Sequence, residues 1–140
     1  MKHNAILQYP TFTRKGKVLK LSMNVFKRMH WGSQNKSKQD YHDLVEGFVD
    51  SLPKFKWLKP SYTLYFEGNR AKDLDNYWFP CHKFLMDALV EKGKIQDDNY
   101  KYVKGFEVEF GDAGKDVEDY YVVELTGEEL DEENEHNGSN

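Results

Sequence analysis

The sequence predicts an α/β fold of the α+β kind: a small mixed sheet with two main helices packed on it. Three observations carry the prediction. Tyr41, Leu44, Val45, Phe48 and Leu52 recur at helical spacing, as do Tyr77, Cys81, Phe84, Leu85, Ala88 and Leu89. Between them, Tyr62 to Glu67 alternates, with Tyr62, Leu64 and Phe66 on one face and Thr63, Tyr65 and Glu67 on the other. Extended runs flank these segments on both sides. A chain of 140 residues with 39% hydrophobic content suits one domain with one core.

In chain order, Ile6 to Met23 reads as two short extended runs, with Gly16 in the turn between them. Ser22 to Gly32 mixes polar, basic and aromatic residues and reads as a loop. A helix is expected from a cap at Ser33 or Asn35 to about Leu52, where Pro53 stops it. Lys54 to Pro60 reads as a basic connector into the strand Tyr62–Glu67. The second helix begins either near Phe79, with Pro80 at its first position, or after Asn76 with Pro80 in its first turn. Lys92-Gly93-Lys94 ends it. Late strands are expected at Tyr102–Phe110 and Tyr120–Leu125, separated by a turn at Gly111–Gly114. Residues 1–126 form the domain, and residues 127–140, acidic and nearly free of apolar side chains, read as a disordered tail dispensable for folding.

No stretch approaches the roughly 18 apolar residues of a membrane span, and the N-terminus lacks a secretory signal pattern. The lone cysteine, Cys81, excludes an intrachain disulfide. A cytoplasmic protein with no membrane partner is expected. The formal charge of -4 hides a strong asymmetry. Residues 1–60 carry twelve Lys/Arg and four Asp/Glu, whereas residues 61–127 carry eight and fourteen. A basic first half beside an acidic centre suits a polyanion-binding surface around a metal site.

The acidic centre lies between Arg70 and Tyr100. Asp73 and Asp75 are two residues apart, so in extended backbone their carboxylates leave on one side. Paired carboxylates repel unless a cation lies between them, and Mg²⁺ is the cation that also meets phosphate oxygens. Asp97 and Asp98 form a second pair beyond the helix. The two acidic ends are expected to meet, with Asp73, Asp75, Asp97 and Asp98 as metal ligands. A divalent metal there activates water for phosphodiester cleavage. Lys27, Arg28 and Trp31, with Arg70 and Lys72 just before the first pair, are expected to contact nucleic acid by charge and stacking. The Asp73-Leu74-Asp75-Asn76 run also resembles the start of a calcium loop. Trp78 and Phe84 stand where such a loop needs glycine and glutamate, which excludes it.

At these residues the chain resembles the RusA family of Holliday-junction resolvases. The resemblance lies in the strand, Arg70 and Lys72, Asp73-Leu74-Asp75-Asn76, the run Lys83-Phe84-Leu85-Met86-Asp87-Ala88-Leu89, Gly93, and Asp97-Asp98. Leu21 to Asn24, LSMN, resembles the family's substrate loop more loosely. The resemblance implies a homodimeric endonuclease that uses Mg²⁺ or Mn²⁺ to nick opposed strands of four-way DNA junctions; many such enzymes are encoded by phages. It implies Asp73, Asp75 and Asp98 as essential carboxylates and a functional lysine one helical turn beyond the second Asp. Phe79 occupies that spacing here, and alignment from Asp87-Ala88-Leu89 puts Lys83 in the role instead. Lys83 lies about 6 Å further along if the intervening helix is continuous, and keeps its place if the chain bulges at Pro80. Two other readings stay open: a RusA-like protein that binds branched DNA without cutting it, and a non-enzymatic α/β interaction protein.

Overall fold

The computed structural model describes residues 2–67, 73–114 and 117–130. It shows a mixed α+β fold. Strand β1 (Lys2–Gln8) leads into a hairpin of β2 (Thr11–Arg14) and β3 (Lys17–Lys20). Helices α1 (Met23–Arg28) and α2 (Trp31–Ser51) follow, then strand β4 (Phe55–Phe66) and helix α3 (Leu74–Glu91). Strands β5 (Glu107–Asp112) and β6 (Tyr120–Glu129) complete the fold. The main sheet runs β1-β6-β4-β5, antiparallel except for the parallel β4–β5 pair that α3 connects.

The hairpin turn is Lys15-Gly16, both with positive φ (50° and 77°). That geometry matches the twist of paired strands, and Gly16 adopts it without a Cβ penalty. The expected pair of extended runs is therefore three strands. Ser22 to Gly32 is not a loop. Ser22 caps α1 by accepting from Val25 N at 3.3 Å, and Phe26 is buried against the core, edge-on to Phe84. Helix α2 starts earlier than expected, with the His30 ring accepting from Gly32 N at 3.2 Å.

The buried stripe of α2 is Tyr41, His42, Val45 and Val49, with Leu52 just beyond its end. Leu44, expected inside, is 52% exposed. Polar pairs link α2 to the flank of α3 in this rotation: Lys38–Asp87 at 3.6 Å, Lys92–Glu46 at 3.0 Å and His42–Glu91 at 2.5 Å. Residues 54–60, expected as a connector, mostly belong to β4. The strand register shifts between Phe55 and Trp57, so the alternation changes phase there. Pro60 is tolerated because its missing donor falls beside the start of β5, between the Leu58 bonds to Tyr102 and Lys104 and the first β5 pair at Ser61.

The late strands are also displaced. Strand β5 starts at Glu107 and includes Gly111 and Asp112 of the expected turn. Strand β6 continues through Glu129, and Leu130 N bonds to the Lys54 carbonyl at 2.9 Å. Gly127 to Glu129, expected in the tail, are thus sheet residues; residues 131–140 of that tail lie outside the described residues. Among the described residues no helix is long and apolar enough to cross a membrane.

Three buried tyrosines make the core polar at chosen points. Tyr41 donates to the Gln8 carbonyl at 2.8 Å and shares a 2.6 Å hydrogen bond with Tyr121. Tyr62 meets His82 Nδ1 at 2.8 Å, and His82 stacks on Trp78, which stacks on Phe106. Burial lowers the His82 pKa to about 4. The unfolded chain takes up this proton near 6.5, so between those values it holds more protons than the folded chain. Stability should therefore fall as pH drops from 6.5 to 4, by about 3 kcal/mol from this one group. Urea unfolding across that range should show a shallower acid loss in His82→Asn than in the wild-type chain. Equal pH profiles would mean that His82 is protonated at no cost.

Candidate active site

Two sequence segments some fifty residues apart are joined at the start of α3. Tyr9, fully buried at the end of β1, has its hydroxyl 2.6 Å from the Leu21 carbonyl and 2.8 Å from the Tyr77 carbonyl. The Asn24 amide donates to Asn76 Oδ1 at 2.9 Å. These bonds seat the LSMN segment against Asp73-Leu74-Asp75-Asn76. Between them lies an open recess of about 340 Å³ lined by Met23, Asn24, Lys27, Asp73, Asp75 and Phe79, with Asn76 at its wall.

Asp73 occupies the N-cap position of α3 with extended backbone, but its carboxylate makes no cap hydrogen bond. The everyday role of such an aspartate is therefore not what holds this one. Asp75 accepts only from the adjacent Asn76 amide, at 2.9 Å, among the described residues. Both carboxylates lie at the positive end of an 18-residue helix, which favours negative charge there. Lys27, one turn along α1, brings a cation to the same recess.

The second acidic pair is elsewhere. Asp97 and Asp98 line a different recess, with Lys38, Asp87 and Glu91, at the far end of α3. Helix α3 spans about 27 Å, and Lys94, just after it, is fixed by the Phe55 N bond to its carbonyl at 2.7 Å. Asp97 is also taken up locally, accepting from Asp98 N at 2.8 Å and from the Asn99 side chain at 3.0 Å. Within one chain the two acidic ends do not meet. Among the described residues no three His, Cys, Asp or Glu side chains group as a metal site.

Lys83 does not reach the first recess either. Helix α3 runs unbroken through Pro80, which leaves only the Asn76 carbonyl without its helical donor. Lys83 therefore stands eight residues, about 12 Å, beyond Asp75 and pairs with Asp87 at 3.9 Å. Phe79 lines the recess in its place, 37% exposed. Of the expected nucleic-acid contacts, Lys27 is in the recess, Arg28 faces away from it into a cleft of its own, and Trp31 is 73% exposed. Arg70 and Lys72 lie outside the described residues. Asn24 and Asn76 as the joint between the two segments were not singled out from sequence; the LSMN likeness was the available signal.

Two carboxylates in an open recess fit Mg²⁺ or Mn²⁺, which take one or two carboxylates and complete their shell with water and phosphate oxygens. They do not fit a cation that needs a full protein cage. No protein-family model matches the chain, and a search of the curated proteins finds no match.

Proposed function

We propose that the chain is a metal-dependent endonuclease that cuts four-way DNA junctions, with the Asp73–Asp75 recess as its cutting site. The observation that carries this reading is the seating of LSMN on Asp73-Leu74-Asp75-Asn76, which brings two carboxylates and a lysine to one open recess. Asp73 and Asp75 would hold Mg²⁺ or Mn²⁺; the metal, when bound, supplies an activated water and offsets charge on the phosphate. Lys27 holds a non-bridging phosphate oxygen and raises the local concentration of the polyanion. Asn24 and Asn76 fix the recess so that both carboxylates keep their spacing.

A four-way junction has two-fold symmetry, and two opposed cuts call for a two-fold protein, so the working form is a homodimer. The dimer also gives Asp97 and Asp98 a role that one chain denies them. Presented by the second copy, they would supply the further carboxylate of the Asp73–Asp75 site. The second reading, junction binding without cleavage, is favoured by the separation of the acidic pairs and by the displacement of Lys83.

Purified protein incubated with a labelled four-way junction, with and without Mg²⁺ or Mn²⁺, separates the two. Paired nicks that require metal, in preference to cuts in linear duplex, are expected. Retained binding with no cleavage in either metal transfers the conclusion to the binding reading.

A further inference from the structure

The basic residues of the first half gather at a second place. A cleft of about 510 Å³ opens between the β2–β3 hairpin and the start of α2. Arg14, Arg28, His30 and Lys36 line it, with the hydroxyls of Thr13 and Ser33 between them. Its single carboxylate, Asp40, is bonded to Lys36 at 2.8 Å. Arg14 lies over the Phe12 ring, 5.4 Å from its centroid, which holds the guanidinium at the cleft wall.

Helix α1 divides this cleft from the cutting recess. Consecutive residues on a helix point about 100° apart, and here Lys27 lines the recess while Arg28 lines the cleft. A strand that leaves the recess over α1 meets the cleft next. Trp31, exposed at the first position of α2, directly follows His30 of the cleft lining. Arginine and lysine with hydroxyls match phosphate oxygens, and an exposed indole matches the face of an unstacked base. An acidic peptide satisfies the cations but gives Trp31 no planar partner.

We infer that the cleft between the β2–β3 hairpin and α2 holds the phosphates of a DNA strand leaving the Asp73–Asp75 recess, with Trp31 stacking on one of its bases. The inference rests on the nucleic-acid reading of that recess, though not on cleavage. It is therefore tested without metal, on the full chain, by the anisotropy of a labelled oligothymidine and of a labelled four-way junction over a salt series.

The triple substitution Arg14→Gln, Arg28→Gln and Lys36→Gln should lower the oligothymidine salt slope by about 2, at about 0.7 per lost phosphate contact. Trp31→Ala should weaken oligothymidine binding about tenfold or more while leaving the salt slope unchanged. Circular-dichroism melting of each variant confirms that it is folded. Unchanged slope and affinity in the folded triple variant overturn the inference. So does competition by polyglutamate or inorganic phosphate as effective as that by unlabelled oligothymidine at equal charge. A chain that never cuts yet shows both expected changes keeps the cleft and loses the cutting site; a chain that cuts with neither change does the reverse.

Discussion

Asp75→Asn is expected to abolish junction cleavage while junction binding stays equal or tightens. The substitution keeps the shape of the side chain and of the Asn76 amide contact, and removes one of the two carboxylate charges of the recess. Loss of a direct ligand should exceed the about 10- to 100-fold cost typical of disturbing a metal's outer partners. Affinity should not fall, because a negative charge beside the phosphates has gone. Wild-type cutting by this variant would remove Asp75 from the site. A mixing experiment then tests how the site is assembled. If Asp98 of one copy serves Asp75 of the other, Asp75→Asn and Asp98→Asn proteins mixed together form heterodimers with one intact site and one doubly disabled site. Such heterodimers should nick one strand, although neither variant cuts alone. If each site lay within one chain, every site in the mixture would be disabled and no nick would appear.

Much of this arrangement was legible in the sequence where one period dominated. The stripe Cys81, Phe84, Leu85, Ala88 and Leu89 is buried on α3, and the alternation from Tyr62 to Phe66 is the buried face of β4. Gly16 and Gly93 both sit at positive φ, in the hairpin turn and just after α3. The misses have physical causes. Helix α1 is only six residues long, too short for a period to register, and its cap at Ser22 lacks the partner acid that completes a capping box. The first half of β4 was hidden by the bulge after Phe55, which breaks the period-2 pattern. The face of α2 was displaced because its polar pairs with Asp87, Glu91 and Lys92 act on the rotation beside its apolar residues.

The candidate site divides in the same way. Asp73 and Asp75 share a recess as expected, but not through extended backbone: Asp73 is the N-cap and Asp75 lies in the first turn of α3. Their joining to LSMN lies beyond any local pattern, because it depends on Tyr9 and Asn24 reaching across the fold. The expected meeting of the two acidic pairs needed the chain to run back along α3 after its end. It does not: the Phe55 N bond to the Lys94 carbonyl holds it at the far end of the helix, and Asp97 and Asp98 stay there beside Asp87 and Glu91.

Gly127→Ala is expected to cost about 3 kcal/mol, a fall in Tm on the order of 10 °C, although the residue reads from sequence as the first of a loose tail. In the structure Gly127 pairs with Leu58 in the β4–β6 ladder, one pair beyond the bulge. An added Cβ would land on the Trp57 carbonyl oxygen and lie 3.0 Å from Leu58 Cα. Both are backbone atoms, so no side chain can turn aside to relieve the contact. The strands must separate instead, which also strains the Trp57 Nε1–Glu128 hydrogen bond at 3.0 Å and the Leu130–Lys54 bond next to it. Gly47→Ala is the matched control. It lies in the interior of α2, exposed, with nothing within 4 Å of its added Cβ, and the helix gains from alanine by roughly 1 kcal/mol. Thermal melts of the two variants should therefore move in opposite directions. Wild-type melting of Gly127→Ala would detach the end of β6 from β4 and restore residues 127–130 to the tail.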